Sequence, residues 1–260
     1  MIDYNFSIQD LEYFLLIFTR ITMFIYSAPF FSINNVPRRF KAGLGIFLAM
    51  LLYQFVVPHS VVEYDTVMGY AILVFKEAIC GVVLGLMCNM VLLVTNFAGR
   101  VMDMEVGLSM VSFFDPTTRQ QSGFTGTIFN YSFLLIMLST NLHHYLISAF
   151  VESYQLIPVG NVVIRDDKLY QAVLMLLYNY MVLGMKICLP IFSAMLLLNA
   201  VLGIMAKAAP QMHMFSIGMQ LKILVGLAVL FLTMYLMPNV ASAIYTEIKR
   251  MMVTAVGVFY

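Results

Sequence analysis

The chain has 260 residues, of which 62% are hydrophobic and only 10% are charged, and its mean hydropathy is +0.92. Soluble globular domains carry about 25% charged residues, so this composition excludes a cytosolic enzyme and indicates a surface covered by lipid or by other membrane proteins. Fourteen Lys and Arg residues stand against 13 Asp and Glu residues and are spread along the chain, which excludes a basic nucleic-acid-binding face.

Six apolar runs, joined by short connections that carry most of the charge, predict an all-α protein of the integral membrane type. A hydrocarbon core of about 30 Å needs about 20 helical residues, and the runs are roughly 11–31, 42–58, 66–97, 124–150, 169–205 and 213–240. Run 42–58 is barely long enough to cross, whereas 66–97, with its helix-compatible continuation, and 169–205 exceed a bilayer. The last of these contains Gly184 and Pro190, which predict a bend. We therefore expect about six long segments, some of them bent or re-entrant.

The sequence lacks the patterns of several other classes of protein. The segment before the first run has three acidic residues and no Lys or Arg, so a cleavable secretory signal is not expected. Cys80, Cys88 and Cys188 lie within apolar runs, and we interpret them as small hydrophobic residues. His143-His144 has no further ligand at metal-binding spacing, and the HExxH, GxSxG and Walker patterns are absent. No catalytic residue, metal or cofactor is predicted, and the chain is not expected to be an enzyme.

Five charged residues lie within the apolar runs: Arg20, Lys76, Glu77, Lys186 and Lys222. A charged side chain at the middle of a bilayer costs at least about 2.5–3.5 kcal/mol on insertion scales. Glu77 can neutralise at most one of the four cations, which leaves about three without an internal partner. One interpretation is that the long side chains reach the membrane surface and backbone carbonyls at helix ends. The interpretation that we prefer is that these positions face other subunits or a wet passage, as in a part of a larger assembly.

Residues 106–122, between the third and fourth runs, form neither a span nor an ordinary loop; we call them the plug loop. Gly107 permits a bend, the following residues are mostly apolar, and Asp115-Pro116 predicts a turn before a polar linker. Such a segment must be buried in protein or line a passage. We hypothesise a soft, bulky stopper formed by Gly107, Leu108, Ser109, Met110, Phe113, Phe114, Asp115 and Pro116. The alternative is a re-entrant packing segment, and composition does not decide between the two.

Four groups of residues resemble a known family in their order and spacing. They are Arg20 with Ser27-Ala28-Pro29 and Val36–Lys41; Ala98-Gly99 with Met104, Gly107-Leu108-Ser109 and Asp115-Pro116; Leu156–Gly160; and Asn199–Gly203 with Ala209-Pro210-Gln211 and Phe215–Gly218. Together they cover nearly the whole chain and resemble the flagellar biosynthetic protein FliR family, which, with its counterpart in virulence type III secretion, belongs to the bacterial export gate.

The resemblance implies a non-enzymatic subunit that helps to form a secretion channel for unfolded exported proteins in the bacterial inner membrane, at the flagellar basal body. It implies FliP and FliQ in several copies, together with FlhB and FlhA, as partners. It further implies a FliP-like helical part over 1–165 and a FliQ-like helical hairpin with a C-terminal tail over 166–260. The family's plug corresponds to 106–122 and closes the pore at rest.

A second interpretation is a small-solute secondary transporter. In that case a broken helix near Gly184 and Pro190, together with the buried charges of Lys76 and Glu77, would form the coupling site. The surplus of cations and the lack of an inverted repeat weigh against it. The transporter interpretation predicts a chain that acts alone or as a homodimer, whereas the export interpretation predicts a heteromeric complex.

Overall fold

A computed structural model of the chain describes residues 8–29, 37–55, 64, 66–109, 112–115, 120–208 and 214–260. Within these ranges the chain forms eight helices and one short hairpin. The helices are α1 (Ile8–Ser27), α2 (Arg38–Phe55), α3 (Val67–Val106), α4 (Phe124–Ser139), α5 (Leu142–Leu156), α6 (Asp166–Ala208), α7 (Met214–Met234) and α8 (Met237–Val258). The strands β1 (Ser112–Asp115) and β2 (Gln120–Gly123) lie between α3 and α4. The predicted all-α fold class is confirmed, with this hairpin as an addition.

Two helices are longer than a bilayer is thick, as their apolar runs predicted. Helix α3 has 40 residues and α6 has 43, which corresponds to about 60 and 65 Å at about 1.5 Å per residue. Pro190 lies inside α6, and the helix continues on both sides of it.

Among the described residues, three helices are long and apolar enough to cross a membrane: α3, α6 and the part of α7 from Ile217 to Met234. A fourth crossing results if α4 and α5, bent by 69° at the break between them, count as one broken span. Helices α1, α2 and α8 are not among them, because each has only 18 to 22 residues and carries three charged residues within that length. The runs expected at 124–150 and 213–240 are each divided into two helices, and Asn141 at the first break has a left-handed backbone with φ of 56°.

The described residues pack as two compact units, each built from separate stretches of sequence. The first comprises Met1–Val91, Asn141–Leu177 and Glu247–Tyr260, and the second comprises Leu92–Thr140 and Tyr178–Thr246. The division expected at residue 165 concerns likeness to two other protein families rather than packing, and it stays a prediction.

In the first unit, α1 and α3 approach each other closely. A side chain at Gly81 would meet the backbone oxygen of Arg20, and one at Gly85 would meet Ser27 and the backbone nitrogen of Ala28. Two glycines four residues apart are a common device for bringing two apolar helices together. This approach places the inward face of α1 against α3.

In the second unit, glycines again allow close packing around the C-terminal part of α3. A side chain at Gly99 would overlap the backbone of Gly126 in α4, and one at Gly226 in α7 would meet Val106. Helix α4 buries its residues at every fourth position, namely Phe129, Phe133 and Met137, as expected for one face of a helix. The end of α3 and the start of α4 are therefore held side by side.

Candidate functional site

Helix α3 ends at the start of the plug loop in a glycine-dependent cap. Gly107 has φ of 89°, a conformation that residues with a side chain rarely adopt. The backbone N–H groups of Gly107 and Leu108 donate to the carbonyl oxygen of Asp103 at 3.1 and 2.8 Å. This pattern is the usual way to end a helix on a left-handed glycine, and it confirms the bend predicted at Gly107.

The plug loop continues as an antiparallel hairpin rather than as a helical segment. The paired positions are Ser112 with Gly123, Phe113 with Ser122, Phe114 with Gln121 and Asp115 with Gln120. Asp115 and Gln120 are the last paired positions described; the turn predicted at Asp115-Pro116 extends into residues 116–119, which lie outside the described residues. The strands were not predicted from the sequence, because each has only four residues. The apolar residues of β1 had been assigned to a stopper, and the polar residues of β2 to a linker.

The structure describes part of the predicted plug. Leu108 is half-buried, and Gly107 and Ser109 are exposed. For Phe113, Phe114 and Asp115 the backbone is described, whereas Met110 and Pro116 lie outside the described residues. The proposed role of these side chains stays a prediction.

Asp103 joins the two ends of the plug loop. Its side chain is only 2% exposed, and its Oδ1 atom accepts hydrogen bonds from the backbone N–H of Thr125 at 3.1 Å and from the Thr125 hydroxyl at 2.6 Å. Helix α4 begins at Phe124, and its own cap residue, Gly123, provides no side-chain hydrogen bond. Asp103 thus caps α4 from another helix, where the positive end of the helix dipole favours a carboxylate.

The lack of a side chain at Gly123 makes room for this carboxylate, because a Cβ atom there would meet Asp103 Oδ2. That oxygen is buried and has no hydrogen-bond partner among the described residues. We refer to Asp103, Gly107, Gly123 and Thr125 as the clasp. Sequence analysis missed it, although an acidic residue in the last turn of a helix, against the dipole preference, was a usable signal.

A second buried polar group lies in the first unit, where Arg20 meets Glu77. Both residues are fully buried, and Arg20 Nε donates to Glu77 Oε2 at 2.5 Å. The Arg20 guanidinium carbon also lies 4.4 Å from the centre of the Tyr154 ring, and a cation over an aromatic face is attracted to it. We call Arg20, Glu77 and Tyr154, together with Ile157 and Gly160, the ion-pair cluster.

The connection that follows α5 closes the cluster. Arg20 Nη1 donates to the carbonyl oxygen of Ile157 at 2.8 Å, and the backbone N–H of Gly160 donates to Glu77 Oε1 at 2.8 Å. Gly160 has φ of 84°, so this turn also depends on glycine. Three parts of the chain are thereby tied together: α1, α3 and the segment Leu156–Gly160 that carried part of the family resemblance.

This geometry corrects the expectation that Arg20 and Glu77 face other subunits. Their charged groups are enclosed within the chain and neutralise each other, so that interpretation is wrong for these two residues. The coupling site suggested for a transporter also fails at Glu77, because both of its carboxylate oxygens are already bound by Arg20 and Gly160.

The other three predicted charges have different surroundings. Lys76 and Lys222 are half-buried, and Lys186 is exposed on the apolar surface of α6. Their role in subunit contacts stays a prediction. The three cysteines are buried, free thiols, as their interpretation as small hydrophobic residues predicted. Among the described residues, no group of three His, Cys, Asp or Glu side chains is placed to hold a metal ion.

The eight described helices, three of them long and apolar enough to cross a membrane, define a helical membrane protein. Comparison with known proteins identifies the family. Residues 11–248 match the family model described as bacterial export proteins, family 1, and the chain belongs to this family.

Several curated relatives support the assignment. The chain is 31% identical to the flagellar biosynthetic protein FliR of Bacillus subtilis (strain 168) over 258 residues, which cover 97% of this chain and 99% of the relative. It is 28% identical to the protein of the same name from Aquifex aeolicus (strain VF5), with 85% and 84% of the two chains covered. For the one from Escherichia coli (strain K12) the identity is 25%, with 90% and 88% covered. The resemblance drawn from the sequence is confirmed.

Proposed function

We propose that this chain is a non-enzymatic subunit of a bacterial flagellar protein-export gate in the inner membrane, and that its plug loop closes the secretion channel at rest. The observation that carries the assignment to export is the family match over residues 11–248. The proposed partners are FliP and FliQ in several copies, with FlhB and FlhA, and the proposed substrates are unfolded exported proteins.

The surface of the long helices supports a role within an assembly. Only 22% of the most apolar stretch of α6, and the same share of α7, is buried inside the chain. The apolar side chains left exposed include Leu197, Ile204 and Phe231, each more than 70% exposed. Lys186 is exposed on the same helix as the first two, and a cation on a lipid-facing helix is costly. Neighbouring subunits would cover these residues and supply a partner for Lys186.

The sequence and backbone of the plug loop support closure. The loop carries Met110, Phe113 and Phe114, and an apolar constriction blocks ions because water leaves it. The hairpin is anchored at both ends in the second unit, at the end of α3 and at the start of α4. An entering polypeptide would displace the apolar residues and open the passage.

A substitution that keeps the loop length tests the closure. Replacing Met110, Phe113 and Phe114 together by serine should make the membrane permeable to ions in cells that carry the variant as their only copy. Potassium efflux and uptake of a membrane-impermeant dye are the measurements. Co-purification of FliP and FliQ with the variant shows whether the gate has assembled. An assembled gate with a tight membrane would rule out the plug role.

Native mass of the detergent-extracted particle tests the assembly. A heteromeric particle many times heavier than one chain of 29.4 kDa is expected. A monomer or homodimer that moves a small solute in vesicles would favour the secondary transporter instead.

A further inference from the structure

We infer that Asp103 is a positioning residue that holds the plug loop in its closed conformation by fixing both of its ends through one amino acid. The inference rests on the proposed plug function and adds to it the element that keeps the loop in place. It is carried by the contacts of the clasp, of which Gly107 alone is also one of the predicted stopper residues.

Asp103 contacts the chain on both sides of the plug loop. Its backbone carbonyl receives the N–H groups of Gly107 and Leu108, where the chain leaves α3. Its carboxylate receives the N–H and the hydroxyl of Thr125, where the chain enters α4. The two ends are 18 residues apart in sequence, from 107 to 125, and they meet on one side chain and its own backbone.

The carboxylate of Asp103 is closely packed, and glycines provide the space that it needs. Gly123 lies against Asp103 Oδ2 without room for a Cβ atom, and Gly99, one turn before Asp103, lies against the backbone of Gly126 without room for one. These two glycine contacts, one between α3 and α4 and one between α3 and the cap residue of α4, hold the helices at the distance that the Asp103 hydrogen bonds require. The hydrogen bonds of Asp103 therefore belong to a closely packed contact between α3 and the start of α4.

Within the part of the chain that the structure describes, no opposing charge contacts the carboxylate of Asp103. Its Oδ1 atom accepts two hydrogen bonds from neutral donors, and Oδ2 is buried with no hydrogen-bond partner among these residues. A buried carboxylate held only by neutral donors is stabilised less than one held by a cation. The clasp therefore holds the plug loop at rest, and its hydrogen bonds break when substrate displaces the loop.

The test compares variants of the clasp in the assembled gate. Asp103→Ala removes both carboxylate hydrogen bonds and should raise the population of the open loop about tenfold or more, seen as ion leak with undiminished co-purification of FliP and FliQ. Thr125→Val removes the hydroxyl at constant shape and loses only one of the two hydrogen bonds, so it should leak more than the unsubstituted protein and less than Asp103→Ala. Thr125→Ser retains the hydroxyl and should stay tight. Glu105→Ala is the control, because Glu105 is a half-buried carboxylate two residues away outside the clasp.

Hydrogen exchange of the purified gate provides a readout independent of leak. Asp103→Ala should accelerate exchange at the Thr125 amide about tenfold to a hundredfold, with little change in α1. If the serine-substituted plug leaks and Asp103→Ala does not, the clasp is wrong while the proposed function stands. If the serine-substituted plug stays tight, the proposed function fails, and unchanged exchange at Thr125 would then overturn the clasp as well. Should Asp103→Ala fail to assemble, equal leak from Thr125→Val and Thr125→Ser would overturn it.

Discussion

Glu77 and Asp103 are two buried carboxylates on the same helix, α3, and they are stabilised in different ways. Glu77 lies against the guanidinium of Arg20 and also accepts a backbone N–H. Asp103 accepts hydrogen bonds from a backbone amide and a hydroxyl, and its other oxygen has no hydrogen-bond partner in the described ranges of the chain. Taking a charge out of water is costly unless an opposite charge and hydrogen bonds compensate for it. We therefore expect the ion-pair cluster to stay intact and the clasp to open when the plug loop is displaced.

The two groups also differ in what they connect. The ion-pair cluster joins segments far apart in sequence, since Arg20 lies 57 residues from Glu77 and 137 residues from Ile157. The clasp joins residues 22 positions apart on either side of one loop. Loss of the first should unfold part of the protein, whereas loss of the second should mainly release a loop.

Removing one member of the ion pair is expected to have the largest effect. Arg20→Ala leaves the Glu77 carboxylate buried without its cation and should destabilise the protein by about 3–5 kcal/mol. The amount of protein retained in the membrane and its thermal unfolding in the purified gate are the measurements. In the double variant Arg20→Met with Glu77→Leu, much of this loss should be recovered, because no unpaired charge remains. If the double variant loses as much stability as Arg20→Met and Glu77→Leu lose separately when added together, the pair is not coupled.

Asp103→Ala is expected to cost less stability than Arg20→Ala. It removes two hydrogen bonds to a charged group, each worth about 1.5–3 kcal/mol. It also removes the cost of burying that carboxylate and leaves no unpaired charge behind, so the net loss should be smaller and should show mainly as ion leak. Thermal unfolding of the two variants, measured side by side, is the comparison. A loss as large as that of Arg20→Ala would show that the clasp is as structural as the ion-pair cluster.

Close helix packing next to the ion-pair cluster gives a third prediction. Gly85→Ala places a Cβ atom against Ser27 and the backbone of Ala28 and should destabilise the first unit by about 1–3 kcal/mol. Gly43→Ala in α2 is the matched control, since a Cβ atom there meets nothing within 4 Å. It should be neutral or slightly stabilising, because alanine favours the helix more than glycine does. Similar unfolding temperatures for the two variants would contradict the close approach of α1 and α3.

The smallest expected effect concerns the end of α3. Gly107→Ala forces a side chain into a backbone with φ of 89°, at a cost of about 1–2 kcal/mol. Because open space surrounds this position, the cost is one of backbone conformation alone. Faster amide exchange at Leu108 than in the unsubstituted protein is the expected sign. Gly107→Asn should be tolerated better than Gly107→Ala, because asparagine adopts this conformation more readily.

Several features followed from the sequence because their causes are local. The apolar composition predicted helices in a membrane, and the lengths of two runs predicted helices longer than a bilayer, as α3 and α6 are. Gly107 predicted the bend at the end of α3, because glycine alone takes a left-handed backbone without steric cost. The ordered residue groups from Arg20 to Gly218 predicted the family.

Other features were decided by the tertiary structure, because they depend on which distant segments approach each other. The count of charges within the apolar runs showed that Glu77 could neutralise one cation, but the choice of Arg20 follows from the close contact that Gly81 and Gly85 allow between α1 and α3. The hairpin and the capping of α4 by Asp103 likewise depend on α3 and α4 lying side by side at Gly99 and Gly126. A buried charge takes the partner that packing brings within hydrogen-bond distance, and the sequence specifies that partner only through the whole fold.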